Sequence, residues 1–164
     1  MKVLLAVDGS PCSDEAIEEV ACRPWPQGSE IEVLTAFELP LPPSPEAWGG
    51  PPTYFEELDR AASEQARSLV SRVVTKVGSA IGSEANVKGK FAAGSARSVI
   101  LDEAESWGAD LIVVGSHGYR AWERFLLGSV SQSVVSHAKC SVEVVRRSRR
   151  EAHPEESSAS TQRG

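Results

Sequence analysis

The chain has 164 residues, of which 41% are hydrophobic and 24% charged, and its formal net charge is −6. These values are typical of a globular domain that buries its own core, and the acidic balance argues against a nucleic-acid-binding surface, which needs a basic stripe. No apolar run approaches the length of a membrane span, no secretory leader is recognisable, and the three cysteines form no paired motif. We therefore expect a cytoplasmic protein with reduced thiols and with neither a membrane nor a nucleic acid as partner.

The first two predicted strands flank a helix whose start is well marked. Residues 2–7 are apolar and rich in branched side chains, as in a buried strand, and residues 31–37 follow the same pattern. Between them, Ser10 is a good N-cap and Pro11 suits the first helical position, where its missing N–H costs nothing. The segment therefore predicts a strand, a helix that begins at Pro11, and a second strand.

A proline-rich segment, residues 38–53, precedes the longest predicted helix. It holds six of the ten prolines and is unusually long for a loop within a compact domain. We predict a loop insertion here, and a lid, a partner site and a second interface all remain open as its role. Residues 54–78 then show an apolar stripe at helical spacing, which predicts a long helix.

The second half of the chain continues the alternation of strands and helices. It predicts a strand at 86–92, a helix capped by Ser95 and ended by Gly108, a strand at 110–114, a helix at 129–138 and a last strand at 141–145. This alternation predicts a single α/β domain over residues 1–147, with a parallel sheet covered on both faces. Residues 148–164 contain almost no apolar side chain, so we predict a disordered C-terminal tail.

A glycine motif follows the apolar run at 111–114. The sequence there is Gly115-Ser116-His117-Gly118, then nine residues, then Gly128-Ser129-Val130-Ser131 at the start of a predicted helix. Glycines let backbone approach a bulky anion, and a helix N-terminus offers free N–H groups and a positive dipole end. The motif is neither a Walker loop nor the dinucleotide fingerprint. It predicts a phosphate-binding site, and the plainer alternative is a turn that needs positive φ.

Asp8 ends the first predicted strand and would face this motif if the first and fourth strands were neighbours. In open parallel sheets, ligands bind past the carboxyl ends of the strands, where the strand order reverses. A carboxylate repels phosphates but accepts hydrogen bonds from ribose hydroxyls or an adenine amine. Asp8 is thus a candidate ligand contact, with an N-cap of the first helix as the structural alternative.

Three segments of the chain resemble the universal stress protein family. They are the opening Val-Leu-Leu-Ala-Val-Asp-Gly-Ser, the run Asp-Leu-Ile-Val-Val-Gly-Ser-His-Gly, and Leu-Leu-Gly-Ser-Val-Ser-Gln-Ser-Val-Val. The glycine spacing is similar to that of the family's ATP-binding branch. The resemblance implies a three-layer α/β/α domain of the adenine-nucleotide alpha-hydrolase-like type, with five parallel strands in the order 3-2-1-4-5. It also implies a homodimer formed through the last strand, from Ser141 to Val145.

The resemblance further implies which residues hold the ligand. Carried over by position, the ATP-binding residues are Ala6, Val7, Asp8, Ala36, Val114, Gly115, Gly118, Gly128, Ser129, Val130 and Ser131. Mg²⁺ or Mn²⁺ is expected to arrive with the nucleotide, because bound phosphates supply the oxygen ligands these ions prefer. We predict no metal ligand from the protein itself, since no cluster of His, Cys or carboxylate has metal spacing.

Three functions remain open from the sequence. The preferred one is an ATP-binding, homodimeric regulatory module of a stress response, with no catalytic residue. A slow ATPase or an enzyme that phosphorylates its own Ser129 or Ser131 is the second, and only Asp8 and His117 are candidate bases for it. The third is a nucleotide-free scaffold that binds a protein partner through the proline-rich loop and the tail. Arg120 and Arg124, within the spacer of the glycine motif, are candidate phosphate contacts or exposed surface residues.

Overall fold

The fold was analysed in a computed structural model, which describes residues 1–38, 52–82, 85–118 and 127–146, leaving aside the side chains of 52–55. The predicted tail at 148–164, most of the predicted proline-rich loop, and the two spacer arginines, Arg120 and Arg124, lie outside the described residues.

Nine helices and strands alternate along the described part of the chain. They are β1 (Lys2–Ala6), α1 (Pro11–Cys22), β2 (Ser29–Phe37), α2 (Pro52–Ile81), β3 (Ala85–Ala93), α3 (Ala96–Trp107), β4 (Leu111–Gly115), α4 (Ser129–His137) and β5 (Ser141–Val145). The strands form one five-stranded sheet in the order β3-β2-β1-β4-β5, and all pairs are parallel. The predicted strand order is confirmed, and it makes β1 and β4 neighbours at the point where the order reverses.

Alternate residues of the central strands feed two separate cores. Val3, Leu5 and Val33 point to the face covered by α1 and α2, while Leu4 and Leu34 point to the face covered by α3 and α4. This follows from the two-residue period of a strand, which sends successive side chains to opposite faces. The molecule is therefore the predicted three-layer α/β/α arrangement.

The helix caps agree with the sequence signals. Ser10 caps α1, and its side chain accepts from the Ser13 N–H, with Pro11 at the first helical position. Ser95 caps α3 in the same way, and Gly108 ends α3 in the left-handed conformation with φ of 70°, which glycine adopts without a steric penalty.

The start of α2 corrects one predicted boundary. The loop was predicted to extend through residue 53, but α2 begins at Pro52, because proline fits the first turn of a helix as well as it fits a loop. The helix also continues beyond Gly78, where an added Cβ would meet nothing within 4 Å. Among the described residues, no helix is both long and apolar enough to cross a bilayer.

Candidate functional site

A cavity of about 940 Å³ opens at the carboxyl ends of β1, β2 and β4. All eleven residues predicted to bind the ligand line it. The described residues that also line it are Ser13, Leu34, Glu38, Gly94, Ala96, Ile100, His117 and Leu127. The volume is near the upper end of the range usual for small-molecule sites.

Asp8 is held at the mouth of this cavity by the first turn of α1. Its Oδ1 accepts the Ser10 N–H at 2.9 Å, and its own N–H donates to the Ser13 Oγ at 3.3 Å. Its Oδ2 faces Gly118, where an added Cβ would lie only 2.7 Å away. Ser10, not Asp8, is therefore the N-cap, and Asp8 fixes that cap residue while one carboxylate oxygen faces the glycine loop.

The three glycines of the motif lie in close contacts and do not have positive φ. None of them belongs to the described glycines with positive φ, which are Gly9, Gly28, Gly82, Gly94 and Gly108. A Cβ at Gly115 would lie 2.7 Å from the Cys12 carbonyl, and one at Gly128 would lie 3.2 Å from the Ser116 oxygen. The alternative interpretation of the motif as a positive-φ turn is thus wrong, and Gly115 lets α1 pack directly on the end of β4.

The N-terminus of α4 presents unpaired amides to the cavity. Gly128 is the N-cap without a side-chain cap bond, its N–H donates to the Ser116 carbonyl at 2.8 Å, and the Gln132 N–H donates to the Gly128 carbonyl at 2.9 Å. The N–H groups of Ser129, Val130 and Ser131 come before the first intrahelical bond. None of them has a hydrogen-bond partner within the described segments. Three donors at the positive end of a helix dipole suit an anion.

The hydroxyl of Ser131 has a structural partner. It is buried, and its Oγ donates to the Gly115 carbonyl at 2.7 Å, so it ties α4 to the end of β4. Its proton is therefore not available to a phosphate, and the exposed Ser129 offers the only hydroxyl of the pair that is free of such a bond in the described structure.

The polar backbone of Ala36 faces the space beyond the end of β1. The Leu34 carbonyl accepts the Val7 N–H at 2.9 Å, so Leu34 directs its polar groups towards β1. Two residues further, Ala36 directs its N–H and C=O to the same side, because polar groups alternate along a parallel ladder. There β1 has ended, and the Val7 carbonyl accepts the Thr35 hydroxyl at 2.6 Å instead. Ala36 thus offers one donor and one acceptor side by side at the cavity wall.

His117, which lines the cavity, belongs to a short hydrogen-bonded chain at its wall. Its Nδ1 lies 3.1 Å from the Ser116 Oγ, which lies 3.7 Å from the Cys12 Sγ. The His117 carbonyl accepts the Ser10 hydroxyl at 3.2 Å. In the described ranges no group of three or more His, Cys, Asp or Glu side chains is placed to hold a metal ion.

The described charges of the cavity wall are acidic. Asp8 and Glu38 are carboxylates, and no Lys or Arg is among the described lining residues. The sequence interpretation missed Glu38, although it directly follows β2 and the carboxyl ends of neighbouring strands share one edge. It also missed Gly94 and Ala96, whose position at the junction of β3 and α3 was a usable signal. Within the described wall, an anionic ligand would be held by the amides of α4.

Comparison with known proteins places this architecture in a family. The family model described as "Universal stress protein family" matches residues 1–146. A Staphylococcus haemolyticus protein named as a universal stress protein is 31% identical over 145 residues, which cover 88% of this chain and 83% of the relative.

Solved structures show the same fold. The universal stress protein UspA from Lactobacillus plantarum superposes with a TM-score of 0.71 at 23% identity, covering 89% of this chain and 97% of that one. A family member from Arabidopsis thaliana, solved with AMP bound, has a TM-score of 0.58 at 21% identity over 94% and 97% of the two chains. A universal stress protein in complex with cAMP gives 0.57 at 20% identity over 90% and 98%. The chain belongs to the universal stress protein family.

Proposed function

We propose that this protein binds an adenine nucleotide, with ATP as its ligand, and acts in the cytoplasm as a regulatory module of a stress response. The observation that carries the proposal is the convergence of three unpaired α4 amides, the Ala36 backbone and the Asp8 carboxylate on one cavity. The AMP and cAMP bound to two proteins of the same fold support the choice of an adenine nucleotide.

Each part of the nucleotide faces a complementary group in the cavity wall. The donor and acceptor of Ala36 complement the N1 and amino edge of adenine, and the free oxygen of Asp8 accepts from a ribose hydroxyl. The phosphates lie at the start of α4, where Ser129, Val130 and Ser131 offer their N–H groups. A divalent ion, Mg²⁺ or Mn²⁺, is held by the phosphates and offsets the acidic wall.

The hydrogen bonds of the candidate bases, Asp8 and His117, favour nucleotide binding over nucleotide turnover. Asp8 uses Oδ1 to hold the Ser10 amide, and His117 is directed to Ser116 through Nδ1. Ser131 donates its hydroxyl inward to the Gly115 carbonyl, which disfavours it as an acceptor of a phosphoryl group. The nucleotide therefore acts through occupancy and conformation.

Replacing Ser129 by proline tests the phosphate site. Proline is favoured at the first helical position, and Gly128 has φ of −58° and ψ of 150°, a conformation suited to the residue before proline. Ser129→Pro thus removes one amide donor while α4 is retained. Because a hydrogen bond to a charged group contributes about 1.5–3 kcal/mol, we expect ATP affinity to fall about tenfold or more in titration calorimetry.

Two controls separate the amide from other effects. Ser129→Ala removes only the hydroxyl and should weaken ATP less than Ser129→Pro does. Adenosine has no phosphate, so its affinity should be the same in both variants and in the wild type. Equal ATP affinity of Ser129→Pro and Ser129→Ala would contradict the phosphate site, and absence of ATP binding to the wild type would overturn the proposed function.

We also propose that two copies pair through β5. This strand is an edge of the sheet, and its Ser141 N–H and Val145 carbonyl bond to the β4 side, with the Asp110 carbonyl and the Ser116 N–H as partners. By alternation, the N–H groups of Val142 and Val144 point to the outer edge. An unpaired apolar edge is a template for a second strand.

Val144→Pro tests this pairing. It removes an outward N–H and leaves the β4 side of the ladder intact, so we expect a dimer to become a monomer in light scattering after size exclusion. Val144→Ala keeps the N–H and should remain dimeric. A dimer that persists in Val144→Pro would show that the copies do not pair through this edge.

A further inference from the structure

A buried carboxyl group lies beneath the cavity floor and is not used by the proposed site. Glu32 of β2 is only 4% exposed. Its Oε2 pairs with the Lys88 Nζ of β3 at 3.1 Å. Its Oε1 is buried and has no hydrogen-bond donor among the described residues. An unpaired buried carboxylate oxygen is costly, so this atom requires an explanation.

The group that faces Glu32 from α3 is a second carboxyl. The register of β2 and β3 sets Lys88 opposite Glu32 and Lys90 opposite Leu34. Glu103 pairs with Lys90, which brings it beside Glu32, and it raises the pKa of Glu32. Two ionised carboxylates have no proton to donate to each other. One proton placed on the pair supplies the missing donor and removes the repulsion between like charges.

The described positive charges near the pair come from two strands, β3 and β1. Lys88 and Lys90 approach from β3. Lys2 of β1 lies further away, where its Nζ is 5.5 Å from the centre of the Trp107 ring and donates to the Trp107 carbonyl. Two lysines therefore balance two carboxyl groups, and the proton adds one positive charge to a pocket that is closed to water at Glu32.

The environment shifts the pKa values of the two carboxyl groups in opposite directions. Burial raises the pKa of Glu32, and Glu103 raises it further, against the opposing effect of Lys88. Burial also acts to raise the pKa of Glu103, but hydrogen bonds from Lys90 and Glu32 outweigh it and lower this pKa. Of the two carboxyl groups, Glu32 is thus the one that holds a proton more strongly.

The pair lies one layer below the cavity. On β2, Leu34 lines the cavity and Glu32 comes two residues earlier on the same face. On α3, Ile100 lines the cavity and Glu103 comes one turn later. The two carboxyl groups therefore lie where α3 packs on β2, directly beneath the cavity floor.

We propose that Glu32 and Glu103 share one proton, and that this proton holds α3 against β2 in the position that shapes the floor of the nucleotide cavity. The inference rests on the proposed function, since it assigns a pH-dependent regulation to that site. When the pair loses its proton, the adjacent carboxylates repel each other, α3 moves away from β2, and the nucleotide binds more weakly. Rising pH therefore weakens binding.

The sign for stability follows from proton linkage. Glu32 has a raised pKa in the folded protein, so its contribution is fully present below the pKa of the unfolded chain and is lost as pH rises through the folded pKa. Glu103 has a lowered pKa, so its contribution is lost as pH falls through its folded pKa. A loss of folding stability as pH rises is thus the signature of Glu32.

Glu32→Gln tests the shared proton in the full chain. The glutamine amide donates permanently to Glu103, and its carbonyl oxygen accepts from Lys88. As pH rises through the folded pKa of Glu32, the unfolding equilibrium constant of the wild type should rise, by up to about tenfold per pH unit where the folded state holds one extra proton. ATP affinity should fall about fivefold, the lower end of ordinary coupling. Both should be flat with pH in Glu32→Gln, relative to the wild type.

Controls make the result decisive. Glu105→Gln alters an exposed glutamate on the same helix, paired with Lys139, and should behave as the wild type does. The variants differ only at the substituted residue, so differences between their pH dependences report the pair. If Glu32→Gln does not fold, Glu103→Gln removes the same pair from the other side and should also abolish the pH slope.

The two measurements distinguish the possible failures. An unfolding slope in Glu32→Gln and Glu103→Gln equal to that of the wild type would overturn the shared proton. Affinities that follow pH identically in all variants, while the unfolding slopes differ, would overturn its effect on the cavity. If no variant binds ATP at any pH, the proposed function fails and this regulation fails with it, whereas the unfolding series still decides whether the proton is shared.

Discussion

The two faces of the sheet use the same strands for different purposes. On the face covered by α1 and α2, most buried side chains of the strands are apolar, with Ser29 and Thr35 of β2 as polar exceptions. Val3, Leu5 and Val33 pack there on Val20 and Val73. On the face covered by α3 and α4, the same strands contribute Leu4 and Leu34, but also the buried Glu32 and the wall of the cavity. Successive residues of a strand point to opposite faces, so neighbours such as Val33 and Leu34 serve different faces.

The difference between the faces teaches where stability and binding lie. A close-packed apolar face loses transfer energy and leaves a void when it is truncated. A face with a cavity already leaves part of its side-chain surface without protein contacts, so truncation there alters the shape of the cavity more than the density of a core. We therefore expect the α1/α2 face to dominate stability and the α3/α4 face to dominate ligand affinity.

A matched pair of leucines gives the largest expected effect. Leu5 and Leu34 are both buried, at 0% and 1% exposure, but they lie on opposite faces and only Leu34 lines the cavity. Leu5→Ala should lower the free energy of unfolding by about 2–5 kcal/mol, while the folded fraction keeps its ATP affinity. Leu34→Ala should cost less stability and should weaken ATP binding. Urea unfolding and calorimetric titration of both variants measure the two quantities.

The contrast would fail in a recognisable way. If both variants lose the same stability and both retain wild-type affinity for ATP, the two faces do not differ as the cavity suggests. ATP titrations should be made at urea concentrations well below the unfolding midpoint of each variant. The affinity is then measured on folded protein.

A matched pair of glycines gives a smaller effect. Gly115→Ala would place a Cβ 2.7 Å from the Cys12 backbone, so α1 or β4 must shift, and overpacking of this kind costs about 1–3 kcal/mol. Gly78 lies within α2, where an added Cβ would meet nothing within 4 Å. Gly78→Ala should therefore stabilise the protein by about 0.4–1 kcal/mol. Thermal unfolding of the two variants should move the midpoint in opposite directions, and a stabilising Gly115→Ala would contradict the close packing.

Much of the fold was predictable because local signals and burial agree. Ser10 before Pro11 marks the start of α1, and Ser95 and Gly108 mark both ends of α3. The apolar runs that form β1 and β4 are buried on both faces, as expected for central strands of a parallel sheet. The strand order, in contrast, came from the family resemblance, since periodicity does not say which strands are neighbours.

The features that were not predictable depend on contacts between distant segments. Glu32 stands in a strand beside Glu30, and its charge gave no sign of burial, because only the packing of α3 on that face encloses it. The need for glycine at position 115 was expected to come from the ligand, but the backbone of Cys12 supplies the reason. Ser131 was expected to offer a hydroxyl to phosphate, yet its position one turn into α4 brings it to the Gly115 carbonyl.

Ser131 gives the smallest and most specific prediction. Its hydroxyl donates to the Gly115 carbonyl at 2.7 Å, and this buried bond joins α4 to β4. Ser131→Ala leaves that carbonyl without its donor and should lower the free energy of unfolding by about 1–3 kcal/mol. Ser129→Ala is the control, because Ser129 is exposed and surface changes of this kind stay within about 0.5 kcal/mol. Urea unfolding of the two variants without ligand measures the difference. Equal stability would mean that the bond contributes nothing and that α4 is held by Val134 and its apolar neighbours alone.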